Sequence, residues 1–283
     1  MASLLQAWSM RCTWFLFIGL LFTSCSTSDF FFNPSQELRE VKNTDKWEKT
    51  EVFFPAKDGR KLNGWWIRPK QVTARATVLF LHGNADNVSY QYETLIPLVE
   101  NGFEAFIFDY EGYGKSQGKP SQENVYDDAL SACDYLEATR KVHSRLLLFG
   151  QSLGGHLAVV LCAKTQEHYH FDGLVIEGAF ASHKEIARDV GKEAYKLPGF
   201  IVNWIVPSRY EAIREIPAIK IPKLIIHSRD DRTVDFKHGE ELYKAAVEPK
   251  IFWEIKGPHV MAYHYYRGEF VERICKLLNL PSL

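Results

Sequence analysis

The chain is punctuated by short apolar runs: ATVLFLH, FEAFIFDY, RLLLFG, GLVIEG, KLIIHS and IFWEIK. None alternates apolar with polar residues, as a strand does when one face meets water. A run that is apolar throughout suits a strand covered on both faces. Between these runs lie longer stretches of helical pattern, at residues 122–140, 153–164, 237–247 and 261–278. Strands alternating with helices predict an α/β fold with a mostly parallel sheet and helices on both sides. Ahead of them, TEVFFPA and KLNGWWIRP flank Lys57-Asp58-Gly59-Arg60, whose Asp-Gly pair predicts an antiparallel hairpin at the start of the sheet.

At 283 residues the chain can bury a full core. Its net charge of −1 comes without a basic block, which argues against nucleic acid as a partner. Cys12, Cys25, Cys133, Cys162 and Cys275 form no CxxC pair or metal-type cluster. Arg11 precedes an apolar run, Thr13 to Phe22, too short for the roughly 20 residues that span a bilayer but suited to a signal-peptide core. With Thr23-Ser24-Cys25 it resembles a bacterial lipoprotein signal in which Cys25 is lipidated, although Phe22 stands where leucine is preferred. The alternative is an uncleaved anchor that recruits Leu4, Leu5 and Trp8. The expected organisation is a signal over 1–24, a tether over 25–49 and one domain over 50–283, in a membrane-anchored protein of the bacterial cell envelope. Phe30, Phe31 and Phe32 either dock on the domain or dip into a membrane interface.

One segment, about 181–217, breaks the alternation. It places Leu197, Ile201, Trp204 and Ile205 at helical spacing and reads as a small lid, or as a helical connection packed on the body.

In open parallel sheets, sites form beyond the carboxyl ends of the strands. Gly150-Gln151-Ser152-Leu153-Gly154 lies between a strand and a helix, the setting of a nucleophile elbow. A serine hydroxyl needs a base oriented in turn by an acid. His156 is nearest in sequence but lies one helical turn on, facing away. His259 follows IFWEIK at a strand end and is the expected base, with His264 in reserve. For the acid, Asp230, Asp231 and Glu177 all sit at the same sheet edge. His168-x-His170 lacks a third ligand and reads as a surface loop, so no metal is expected.

LFLHGNADN, FDYEGYGKSQGKPS, LFGQSLGG and IIHSRDDRTVDFKHGEELY leading to KGPH together resemble the α/β-hydrolase superfamily. The match is to its short-lid serine hydrolases, which include serine aminopeptidase-like, lysophospholipase-like and depalmitoylase-like enzymes. The resemblance implies an α/β-hydrolase fold from about Thr50 onward and no cofactor. It favours Asp231, four residues after His227, as the acid. It implies that the backbone N–H groups of Asn84 and Leu153 form the oxyanion hole, and that His82 and His227 shape loops. Ser228 and Pro258 depart from the usual residues at their positions. Glu111 replaces a frequent arginine, which points to an altered substrate charge preference.

The chain is thus expected to be a serine hydrolase with Ser152 as nucleophile, His259 as base and Asp231 as acid. It would cleave esters or thioesters through an acyl-enzyme. Tyr195, Phe200, Trp204 and Tyr210 in the lid segment point to apolar or lipid-like acyl groups. The alternatives are a peptidase of the same fold and a catalytically silent, surface-tethered binding protein.

Overall fold

A computed structural model describes residues 32–140, 144–195, 206 and 210–281. Cys25, the apolar run before it, and Phe200 and Trp204 of the lid segment lie outside the described residues.

The strands are β1 (Asn33–Pro34), β2 (Trp47–Pro55), β3 (Lys61–Pro69), β4 (Ala76–Leu81), β5 (Ala85–Asp86), β6 (Phe103–Phe108), β7 (Arg145–Gln151), β8 (Gly173–Glu177), β9 (Lys223–Ser228) and β10 (Lys250–Ile255). Eight of them form one sheet in the order β10-β9-β8-β7-β4-β6-β3-β2. The β2–β3 and β3–β6 pairs are antiparallel, and the rest of the sheet is parallel. The expected hairpin is present, with Gly59 at φ +87° in its turn.

The apolar runs of β4, β6, β7, β8 and β9 are buried on both faces because successive side chains enter different cores. At the sheet edge, β10 buries Trp253 and Ile255 and leaves Ile251 and Glu254 exposed. In β4, Val78 and Phe80 join one cluster while Leu79 and Leu81 join the other. The longer helices are α1 (Gln122–Thr139), α2 (Leu153–Thr165), α3 (His183–Tyr195), α4 (Phe236–Ala245) and α5 (Arg267–Leu277). The pattern read over 261–278 is two helices: a short turn, Ala262–Tyr265, breaks at Tyr266 before α5 begins.

The stretch read as a tether is, from Phe32 onward, laid against the domain. Phe32 is buried in the core, β1 pairs with β5, and β2 begins at Trp47. In the lid segment, α3 is followed after the undescribed stretch by Tyr210, whose ring stacks on Tyr126 of α1 at 4.9 Å.

Candidate active site

Ser152 sits between β7 and α2 with φ 54° and ψ −117°, a left-handed backbone that is strained for a residue with a side chain. Its side chain makes no capping hydrogen bond, so the hydroxyl is not spent on the helix end. The turn is this sharp because its flanking glycines let backbones touch: a Cβ on Gly150 would collide with the Gly154 carbonyl, and one on Gly154 with the Leu81 carbonyl. Ser152 N–H donates to the Glu177 carbonyl at 2.9 Å, tying the elbow to β8. Gly83 abuts the elbow; a Cβ there would lie 3.6 Å from that of Ser152.

The loop after β9 separates the two candidate aspartates. Asp230 accepts from Gly257 N–H at 3.1 Å, whereas Asp231 Oδ2 lies 2.5 Å from His259 Nδ1. Asp231 Oδ1 accepts from the N–H groups of Thr233 and Val234 at 2.8 and 2.9 Å. Burial works to raise the Asp231 pKa, but the His259 hydrogen bond and charge, with these two N–H groups, hold it below the ordinary value. His259 Nε2 is buried and makes no hydrogen bond among the described residues, so the Ser152–His259 bond is not formed in this resting arrangement. Such bonds are commonly long in resting hydrolases and tighten with substrate.

Glu177, the third carboxylate, braces the loop that carries His259. Its Oε1 accepts from Ala262 N–H at 2.8 Å and its Oε2 from Gln151 Nε2 at 2.7 Å. Gln151 also donates to the Val260 carbonyl at 3.2 Å and accepts from the Thr94 hydroxyl at 3.1 Å. Burial raises the Glu177 pKa, partly offset by these two donors. Gln151 carries no signal of this role in the sequence beyond its place beside the serine.

The other histidines are engaged elsewhere. His156 is buried, its nitrogens 2.9 and 2.8 Å from the Phe180 and Tyr210 carbonyls, and burial pushes it down to about 4. His227 Nε2 lies 2.9 Å from the Val234 carbonyl and His82 Nδ1 2.7 Å from that of Gly83, so both shape loops. His264 is exposed in the short helical turn after the His259 loop. Glu111 does not face a substrate: it is 2% exposed, and Oε2 accepts from Arg60, Lys119 N–H and Asn124. The altered charge preference expected of it falls away, because the carboxylate is consumed inside its own loop.

Among the described residues, Glu185, His238 and Glu241 bring possible metal-ligand atoms within 4.8 Å of one another. Both His238 nitrogens are already engaged, one by Asp189 at 3.0 Å and the other by Ala181 N–H at 3.3 Å. The Asp189 contact joins α3 to α4, and the Ala181 contact joins α4 to the loop ahead of α3.

A doubly covered sheet with a Ser elbow after β7 and an Asp–His pair after β9 and β10 defines an α/β-hydrolase. A family model described as serine aminopeptidase, S33, matches residues 72–213, and the chain belongs to that hydrolase family. The uncharacterized protein YfhR of Escherichia coli K12 is 34% identical over 264 residues, covering 89% of this chain and 88% of that one. The α/β-hydrolase domain-containing protein WAV2 of Arabidopsis thaliana is 29% identical over 210 residues, covering 70% and 66%. The Pyrococcus furiosus esterase Pf2001 has the same fold, with a TM-score of 0.70 at 23% identity over 87% of this chain and 98% of that one.

Proposed function

We propose that this hydrolase cleaves carboxylic esters or thioesters through a Ser152 acyl-enzyme. The observation that carries the proposal is the 2.5 Å Asp231–His259 contact at the sheet edge where Ser152 sits on its strained turn. Asp231 fixes the His259 tautomer with the proton on Nδ1, which leaves Nε2 to take the serine proton. The Ser152 oxygen then attacks the acyl carbon, and the carbonyl electrons move onto oxygen. The N–H groups of Asn84 and Leu153 receive that oxyanion; Leu153 is the first residue of α2, where N–H groups have no partner within the helix. His259 returns its proton to the leaving alcohol or thiol, and water later releases the acid by the same route.

The aromatic residues of the lid segment, Tyr195, Phe200 and Trp204, support a small apolar or lipid-like acyl substrate. Tyr210 contributes less to that argument, since its ring is stacked on Tyr126. The family description raises peptidase activity, which needs a group to hold a peptide's ammonium. Glu177 and Asp230 are both occupied by N–H donors of the base loop, which favours ester chemistry. Lipidation at Cys25, placing the enzyme at the cell envelope, belongs to the same proposal; a Cys25→Ser chain that still takes up labelled fatty acid refutes it.

The test is fluorophosphonate labelling of the native chain and of Ser152→Ala, with p-nitrophenyl esters and acyl thioesters of increasing chain length. Labelling lost in Ser152→Ala, with rates rising with chain length, supports the reading. An unlabelled native chain refutes serine catalysis, and activity confined to acetyl esters refutes the apolar preference.

A further inference from the structure

The segment just ahead of the domain is bonded to the loop that carries Asn84. Asn33 N–H donates to the Asn84 carbonyl at 3.0 Å, and the Tyr113 hydroxyl donates to the same oxygen at 2.8 Å. Ser35 N–H donates to the Asp86 carbonyl at 3.2 Å. In return, Asn87 Nδ2 donates to the carbonyls of Ser35 and Glu37 at 3.0 and 2.7 Å. Phe32, 5% exposed in the core, anchors the segment, while Asn33 and Pro34 are exposed. A stretch serving only to cover the core would bury more side chains. This one buries Phe32 and spends most of its backbone bonds on residues 84–87, with the Ser35 carbonyl also accepting from Gly114 N–H at 2.9 Å.

The position of these bonds matters. A trans peptide points its C=O and N–H in opposite directions. His82, held neutral by burial, has Nδ1 2.7 Å from the Gly83 carbonyl, so it donates from Nδ1 to the oxygen end of the peptide unit whose other end is Asn84 N–H. Asn33 and Tyr113 hold the next peptide unit through the Asn84 carbonyl. Both planes flanking Asn84 are therefore fixed, in a loop where Asp86 adopts φ 63° and has little intrinsic preference for its conformation.

We propose that residues 32–35 are a strap that forms part of the oxyanion site. Asn33, through its N–H, and Tyr113, through its hydroxyl, are positioning residues that aim the N–H of Asn84. The inference rests on the reading of Asn84 as an oxyanion donor given above. An oxyanion donor acts by being in place before charge develops, so a loosened strap lowers turnover and leaves substrate binding alone.

The experiment uses the full chain. Asn33→Pro removes the N–H, and Asn33→Ala removes only an exposed side chain. On p-nitrophenyl butyrate, Asn33→Pro is expected to lose about tenfold in kcat with KM unchanged, a fraction of the loss from deleting a donor outright. Asn33→Ala keeps that N–H, so its kcat should exceed that of Asn33→Pro by several-fold. A trifluoromethyl ketone, which forms a tetrahedral adduct with an active serine, should bind Asn33→Pro more weakly by the same factor as kcat falls. Tyr113→Phe reads the same carbonyl from the other side and carries the test if Asn33→Pro does not fold.

Equal kcat and equal ketone affinity in Asn33→Pro and Asn33→Ala overturn the strap's role while an active parent leaves the site reading standing. For the second variant, Tyr113→Phe indistinguishable from the parent has the same meaning. A parent without Ser152-dependent turnover overturns the site reading, and the strap's role with it.

Discussion

Gly178 follows β8 at φ +58°, directly beneath the imidazole of His259. A Cβ there would lie 2.8 Å from His259 Cε1, 3.0 Å from Nδ1 and 2.9 Å from Val260 Cγ1. Non-bonded carbons settle at about 3.5–4.0 Å, so the ring of a Gly178→Ala variant must retreat by roughly 0.7 Å or more. That shift falls on the ring that makes the 2.5 Å contact with Asp231, and on the position of its Nε2 relative to Ser152. A misplacement near 1 Å costs on the order of 100-fold in rate. Alanine in the left-handed region adds about 1–2 kcal/mol of destabilisation. Gly59 provides the control: it has φ +87°, and a methyl group there would have nothing within 4 Å, so Gly59→Ala carries the conformational cost alone. Ester hydrolysis and thermal melting measured on both variants should show similar losses of stability but a loss of activity only in Gly178→Ala. Gly178→Ala within threefold of the parent, at a temperature where it is folded, refutes the claim that activity depends on the ring position seen here.

Asp231→Asn should lower kcat by a factor on the order of 10⁴, since an amide no longer enforces the tautomer. The Asp231 carboxyl is held below its ordinary 3.8, so it contributes stability at neutral pH that is lost as pH falls through the folded value; urea midpoints of the variant should drop less on acidification than those of the parent. Glu177→Ala leaves Ala262 N–H and Gln151 Nε2 without their acceptor and should cost about 1–3 kcal/mol per buried group, measured by urea unfolding. Its kcat should fall as the base loop loosens, and an unchanged kcat would detach Glu177 from the chemistry. Asp128 is raised to about 8, chiefly by burial, against the pull of Glu111 N–H. The native state thus keeps a proton that the unfolded chain releases, and stability falls as pH rises from about 4 to about 8. Asp128→Asn keeps an acceptor for Glu111 N–H and should flatten that fall between pH 5 and 8; identical slopes for both proteins contradict it.

The sheet was legible because its central strands are apolar on both faces, unlike a surface strand; the edge strands β2 and β10 are partly exposed. The hairpin was legible in Asp58-Gly59, and the elbow in the spacing of Gly150, Ser152 and Gly154. Sequence order also placed Asp231 and His259 at neighbouring strand ends, but left Asp230 and Glu177 open as acids. Their separation depends on which carboxylate the loops aim at His259, a three-dimensional matter: Asp231 Oδ2 meets Nδ1, while Asp230 is turned to Gly257 N–H and Glu177 to Ala262 N–H. Glu111 misled for the same reason, since its partner Arg60 is 51 residues away in sequence. The strap escaped notice because its bonds come from backbone N–H and C=O groups, which every residue carries. Of the three phenylalanines that hinted at it, Phe32 docks on the domain, while Phe30 and Phe31 lie outside the described residues.

The pairing of β1 with β5 also gives the molecule a polarity. The described chain enters at the carboxyl edge of the sheet, against the loop that holds Asn84. Its last described residue, Pro281, lies at the opposite edge, where its carbonyl accepts from Arg75 just ahead of β4. A fluorophore, affinity handle or solid support joined ahead of Phe32 would therefore stand beside the Asn84 loop of the proposed site, whereas one joined beyond Pro281 would stand behind the sheet. Immobilising the enzyme by each end in turn would present its reactive side toward the support or away from it, with no change to the catalytic domain itself.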